Sequence, residues 1–325
     1  MLLRPTYLRH VYSGLEAAQA FDVIYGSTFE HRLLSAALAT LEHQRLVLGA
    51  IRLDTGRYDF PVAALGCMPK DAICIGFVFD GCEVARYNTR AIGPEEIQIY
   101  PVGSELLYHV SGPSRWITVT MPEELLQAAA QTRSGRPLAL RRDAPYTIRL
   151  CPGERSRLGN LVLDAMDIAR RLLPEGGMTP ELANEISESL LAGCADALLD
   201  AAPLKKSERP AIEQRYYRVL AACERLVFSG GVEIDLAAIS RRSGYTRRSL
   251  EMIFRRSVGM TPGRWFLAAR LNGALRDLLA CNHGGSISSI ATKWGFRHMP
   301  RFADYYRRAF GERPSETLRR VRAGH

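Results

Sequence analysis

LAAISRRSGYTRRSLEMIFRRSVGMTP (residues 236–262) and ISSIATKWGFRHMPRFADYYRRAFGERP (residues 287–314) are two copies of one pattern. Ile239-Ser240 ahead of Gly244-Tyr245 matches Ile290-Ala291 ahead of Gly295-Phe296. Leu250 and Phe254 match Phe302 and Tyr306, with one residue inserted in the second copy. Gly259 and Pro262 match Gly311 and Pro314. The offset stays at 51 to 52 residues throughout, which marks an internal repeat.

Each element of the pattern has a mechanical reason. Ser240 and Ala291 are small where two helices approach closely, and a glycine at 244 and 295 takes a positive φ in a tight turn at little cost. A short turn after such a helix sets the angle of a helix-turn-helix, whose second helix lies in the DNA major groove. Leu250 with Phe254, and Phe302 with Tyr306, stand four apart and bury the inner face of each second helix. The outer faces then carry Arg247, Arg248, Glu251, Met252 and Arg255 in one copy. In the other they carry His298, Met299, Arg301, Asp304 and Arg308. Between the copies, GRWFLAARLNGALRDLLAC (263–281) reads as one helix of about 18 residues, near 27 Å long. That length holds two units about one DNA turn apart, roughly 34 Å.

Charge supports a polyanionic partner for this region. Residues 216–325 hold 20 Lys+Arg against 8 Asp+Glu, a balance of +12, whereas residues 1–215 hold 23 against 26, a balance of −3. Nineteen of the 20 cations are arginine, which suits forked contacts to phosphates and guanines. Arg248 and Arg301 project early from the second helices and are expected at base edges. Arg255, Arg256, Arg307 and Arg308 are expected at phosphates.

Ahead of the basic region the texture differs. AICIGFVF (72–79), EIQIYPV (96–102), ELLYHVS (105–111) and RWITVTM (115–121) alternate as strands do, separated by the turn segments FDGCEV, RAIGPEE, PVGSE and SGPSR. Residues 31–53 are read as strands as well. This spacing predicts a β-sandwich or barrel. From residue 154 the period becomes helical: Leu158, Leu161, Val162, Ala165, Ile168, Ala169 and Leu172 form one stripe. After PEGG, Thr179-Pro180-Glu181 opens a second helix carrying Leu182, Ile186, Leu190, Cys194, Ala197 and Leu198. These stripes either cover the β domain or pair with a second chain. AAPLKKSERPA (201–211), polar and bracketed by prolines, reads as a linker. The expected division is therefore a β-rich domain over 1–153, a helical hairpin over 154–200, the linker 201–211 and a DNA-binding domain over 212–325.

The last hundred residues strongly resemble the AraC/XylS family of bacterial transcription regulators. The resemblance rests on Gly259-x-x-Pro262, Arg270-Leu271 with Ala274 and Leu278-Leu279, and Ser286-Ile287-x-x-Ile290-Ala291. It rests further on Gly295-Phe296, Phe302, Phe310-Gly311-x-x-Pro314-Ser315 and Arg319, and it covers residues 216–321. It implies an α+β chain: a cupin-like β-barrel that senses an effector, a helical pair that often dimerises, and an all-α domain with two helix-turn-helix units. It also implies an activator of transcription that meets RNA polymerase, works as a homodimer, and responds to a small organic molecule such as an amine, an aromatic acid or a sugar. Two residues depart from the family pattern. Pro300 stands where Ser, Gln or Gly is usual, and Glu251 stands where a neutral or basic base-reader is common.

For the effector, Tyr87, Tyr100, Tyr108, His109 and Trp116 are candidates, since small-molecule pockets combine apolar walls with a few polar groups. They equally fit as barrel filling. Enzyme chemistry finds no foothold, because G-x-x-x-x-G-K-[ST], H-E-x-x-H and G-x-S-x-G are absent. A cupin metal site needs two close histidines and a carboxylate, whereas the strand region after residue 50 offers only His109. The seven cysteines contain no C-x-x-C pair, which supports neither a zinc cluster nor a disulfide framework. No metal or cofactor is expected, and no membrane span or signal peptide is evident, so the expectation is a cytoplasmic protein. The competing reading is a degenerate cupin-type enzyme domain localised by a DNA-binding tail.

Overall fold

In the computed structural model, which describes residues 5–35, 39–81, 85–201, 209–228, 236–281 and 285–323, alternation is what builds the N-terminal half. Its strands are β1 (Thr6–Ser13), β2 (Thr28–Leu33), β3 (Thr40–Leu48), β4 (Ile51–Tyr58), β5 (Val62–Cys67) and β6 (Ile73–Gly81). They continue as β7 (Ala85–Tyr87), β8 (Arg90–Ala91), β9 (Glu96–Tyr100), β10 (Glu105–Val110), β11 (Ser114–Met121) and β12 (Tyr146–Arg149). Seven form one antiparallel sheet in the order β1-β3-β4-β11-β6-β9-β12, here sheet A. Five form a second, sheet B, in the order β2-β5-β10-β7-β8. The two sheets share one buried cluster, with Leu41, Tyr58, Tyr100 and Trp116 from sheet A against Phe29, Val62, Tyr87 and Tyr108 from sheet B. The β region is thus wider than the sequence texture suggested, gaining β1 before it and β12 after it. Of the turn read at FDGCEV, Asp80 and Gly81 instead continue β6 beside Arg115 and Ser114, and residues 82–84 lie outside the described residues.

Period two leaves the opposite side of sheet A apolar too. Ile51, Leu53, Ile73, Ile75, Phe77, Ile97, Ile99, Ile117 and Val119 form its outer face. Three helices cover it: α1 (Glu123–Ser134), α2 (Glu154–Leu172) and α3 (Pro180–Leu199). Leu126, Leu158, Val162, Met166, Leu190 and Cys194 are their buried contribution. Of the two uses open to the helical stripes, covering the sheet is the one the structure shows for these residues. Ile168 and Leu173 stay 38% and 54% exposed. Gly159 is needed where α2 crosses the sheet, since a Cβ there would lie 2.1 Å from the Phe79 ring.

The remaining helices are α4 (Arg209–Phe228), α5 (Leu236–Ser243), α6 (Arg247–Val258), α7 (Pro262–Leu279), α8 (Ile287–Lys293), α9 (Met299–Phe310) and α10 (Pro314–Ala323). The linker expected over 201–211 is shorter than that at its far end: α4 begins at Arg209, with Pro210 in its first turn where a missing N–H costs nothing. Residues 202–208 of that stretch lie outside the described residues. Among the described residues no helix is long and apolar enough to cross a membrane.

Candidate nucleic-acid interface

The two copies of the repeat fold as two helix-turn-helix units. In the first, α5 ends at Ser243, Gly244 takes φ +72°, and α6 follows. In the second, α8 ends at Lys293, Gly295 takes φ +78°, and α9 follows. A left-handed residue at this point re-aims the chain, and glycine does so without strain. Thr246 caps α6 by accepting from the Ser249 N–H at 3.1 Å. His298 occupies the matching position before α9 without a side-chain cap, and Pro300 follows in the first turn. Inner faces are buried as the spacing required: Leu250, Ile253 and Phe254 in α6, and Phe302, Tyr306 and Phe310 in α9.

α7 joins the units as one helix, and each end is welded to one of them. Toward its start, the Phe266 ring lies 5.5 Å from that of Phe254 in α6. Toward its end, a Cβ on Gly273 would sit 2.3 Å from the Trp294 ring, so the bare backbone is what lets the indole lie flat on the helix. The same indole donates to Asp277 at 2.8 Å, and Lys293 pairs with Asp277 at 2.7 Å. A spacer packed at both ends keeps the two units at a fixed separation.

Outward, the expected contact residues are on display. Arg247, Arg248, Met252, Arg255 and Arg256 are exposed on or beside the free face of α6, with Glu251 partly exposed. Arg301, Arg307 and Arg308 are exposed on α9, as is His298 at its start, while Met299 and Asp304 are partly covered. Several are already oriented by neighbours. Arg301 donates to the Tyr305 hydroxyl at 2.8 Å and lies 5.3 Å from its ring centre. Arg308 pairs with Asp304 at 2.9 Å and Arg247 with Glu251 at 3.6 Å, each across one helical turn. Exposed pairs of this kind are worth only a few tenths of a kcal/mol, so phosphate exchanges for carboxylate easily. Glu251 and Asp304 therefore sit in salt bridges with neighbouring arginines on the same helix. The two units are not equivalent in this respect, since Arg301 falls at the repeat position of Ser249, one after Arg248.

The effector candidates divide. Tyr87, Tyr100 and Tyr108 converge between the sheets, with Tyr87 ring centroids 6.0 Å from Tyr100 and 5.1 Å from Tyr108. Trp116 lies in the same interior over Gly56. His109 does not join them. It neighbours Tyr108 in a strand and so faces the opposite way, onto the outer face of sheet B. Burial and the nearby Arg86 hold its pKa down to about 4. A histidine missed by sequence reasoning, His31, does face inward: its Nε2 is 2.7 Å from the Tyr58 hydroxyl, and burial likewise lowers its pKa to about 4.

Also unread in the sequence is what covers sheet B. Its outer face, with Ala63 and Leu107, packs on Val219, Leu220, Cys223, Trp265 and Phe266 of the helical domain. Arg32, 3% exposed, grips Glu224 of α4 through two bonds of 2.6 and 3.1 Å and lies 5.2 Å from the Trp265 ring centre. Trp265 donates to the same carboxylate at 2.5 Å. Asn272 of α7 pairs with the free edge of β2, accepting from Leu33 N–H at 2.8 Å and donating to its carbonyl at 3.1 Å. Arg276 meets Glu30 at 3.2 Å, and Tyr217 donates to Glu105 at 2.8 Å.

Residues 239–320 match the model of a family described as a helix-turn-helix domain. Over 89 residues the chain is 39% identical to a probable thc operon regulatory protein of Rhodococcus erythropolis, a match spanning 27% of each protein. It is 24% identical over 250 residues to the transcriptional activator NphR of a Rhodococcus species, spanning 74% of this chain and 68% of that one. The solved structure of the AraC-like transcriptional activator CuxR aligns over 88% of this chain and all of that one, at 16% identity and a TM-score of 0.39. The repeat read in the sequence falls on the residues that match the family model, and the chain carries a helix-turn-helix domain of that family.

Proposed function

We propose that the chain is a sequence-specific DNA-binding activator of transcription whose C-terminal domain reads two successive major grooves. The observation that carries this reading is the pair of helix-turn-helix units fixed to the two ends of α7, within a stretch of net charge +12. Arg247, Arg248, Glu251 and Met252 of α6 face bases in one groove. His298, Met299, Arg301 and Asp304 of α9 face bases in the next. Arg255, Arg256, Arg307 and Arg308 meet the phosphates that flank them, and binding weakens steeply with salt as counterions are released.

In this reading residues 1–153 form the sensing domain, closed as a cupin-like barrel around the aromatic interior, and 212–325 form the DNA-binding domain. Tyr87, Tyr100, Tyr108 and Trp116 surround a small organic effector. Residues 154–200 chiefly brace sheet A. A second copy meets the chain at the apolar residues they leave exposed, Ile168 and Leu173, to give the homodimer. The site of action is the cytoplasm, with RNA polymerase as the protein partner. The names of the relatives described above support regulation.

Arg301→Ala tests the base-reading assignment. It is expected to cost about 1–3 kcal/mol on the cognate site and to relax preference at one base pair. Competition binding against single-base variants of the site measures both. An equal loss on all sequences would place Arg301 at a phosphate instead.

A further inference from the structure

The inner face of sheet A carries a polar row interrupted only at one glycine. Directly opposed across six strands stand Arg45 (β3), Asp54 (β4), Thr118 (β11), Gly76 (β6), Gln98 (β9) and Thr147 (β12). Interior rows are ordinarily apolar, because a buried polar group costs free energy unless it is hydrogen-bonded. One end of the row is satisfied. Arg45 bonds Asp54 at 2.6 Å and Asp22 at 2.8 Å, His43 lies 3.0 Å from Asp54, and Thr118 donates to the Asp54 carbonyl at 3.4 Å.

The other end is not. Gln98 is 3% exposed, and neither its amide nitrogen nor its amide oxygen has a partner among the described residues. Two residues on, about 7 Å along the same face, the Tyr100 hydroxyl is 1% exposed and also unpartnered. Gly76 leaves no side chain between Thr118 and Gln98, and the Tyr100 ring leans across that gap. The Tyr87 ring of sheet B lies 6.0 Å from that of Tyr100, and Tyr108 lies beside Tyr87 at 5.1 Å. The charged groups on this face, by contrast, are already matched. Besides Arg45 and Asp54, Glu96 accepts from Arg90 at 3.2 Å and from Arg149 at 3.4 Å, and Arg52 lies 3.6 Å from Asp71.

We propose that the interior of the β domain takes a small neutral ligand carrying a carboxamide, held by Gln98 and walled by Tyr87, Tyr100 and Tyr108. The inference rests on the effector-sensing reading above and names its ligand class. A primary amide satisfies Gln98 through two antiparallel N–H···O bonds, donating to its oxygen and accepting from its nitrogen. The aryl or alkyl body of the ligand lies among the tyrosine rings. A carboxylate or an ammonium would enter without a free counter-ion and lose its hydration uncompensated.

Benzamide, benzoate and benzylamine share one ring and differ in charge, so thermal unfolding of the full chain with each is the test, repeated on Gln98→Met. Benzamide at about ten times its Kd is expected to raise the melting temperature by about 2–4 °C, and the two ions to leave it unchanged. Gln98→Met melts no lower than the parent, since it removes an unpaired buried amide, and it loses the benzamide shift. A benzamide shift retained in Gln98→Met would overturn the residue assignment. A shift with benzoate or benzylamine equal to that with benzamide would overturn the neutral class and leave effector sensing standing. If none of the three acts, the inference falls, and a panel of chemically unrelated metabolites then decides whether effector sensing falls with it.

Discussion

Sheet A buries its outer face under α1, α2 and α3, with Ile, Leu, Val, Phe and Met on the sheet side and Leu, Val, Ala, Met and Cys on the helix side. Sheet B buries its outer face under α4 and α7 with a smaller apolar patch bordered by Arg32–Glu224, Glu30–Arg276, Tyr217–Glu105 and the Asn272–Leu33 backbone pairing. The first kind of cover is non-directional and is lost only when the domain melts. The second adds to its apolar patch a few bonds of fixed geometry, and a small displacement of β2 removes several of them at once. Because Arg32 and His31 are adjacent in β2, one strand touches the DNA-binding domain with one face and the aromatic interior with the other. Whatever repositions the interior face of β2 also repositions its grip on α4 and α7.

The sharpest way to break this comparison is Glu224→Ala. It leaves Arg32 buried with Glu30, at 2.8 Å, as its remaining carboxylate, so the cost is expected below the roughly 3–5 kcal/mol of a fully orphaned buried charge. The cost falls on docking rather than on either core, so calorimetry is expected to resolve the unfolding into separate transitions for the β domain and the helical domain. A single transition, merely shifted, would mean that the two halves share one core and that the second cover is no more releasable than the first.

A smaller effect follows from His109, which lies on the outer face of sheet B with a pKa held at about 4 by burial and by Arg86. Its unfolded value is near 6.5, so between those values the unfolded chain binds the extra proton. This contribution to stability is fully present at pH 7 and is lost as the pH falls from about 6.5 toward 4, on the order of 2–3 kcal/mol at pH 4.5. His31 adds a loss in the same direction from the inner face. Denaturant titrations at pH 7 and 4.5 are expected to show a weaker pH dependence in His109→Leu. An unchanged dependence would assign the whole effect to other groups.

The helix-turn-helix units were legible because their signals are local. A glycine in the turn, apolar pairs four apart and a threonine cap act within one hairpin, and the second copy repeats them in register. The polar clamp was not legible, because Arg32 and Glu224 are 192 residues apart and Leu33 and Asn272 are 239 apart. No short-range pattern connects such pairs. His109 was misassigned for a different reason: it was grouped with Tyr108 by residue type, although strand parity already sends neighbours to opposite faces. The helical stripes left two outcomes open because an apolar stripe states that a face is buried and not against what. Sheet A supplies the answer for most of it.

A hydroxyl-radical footprint on the selected cognate site is the most direct test of the account. Each copy of the chain is expected to protect two groove segments about one helical turn apart, roughly 34 Å, matching the separation set by α7. Protection of a single segment per copy, or a footprint indifferent to sequence, would contradict it.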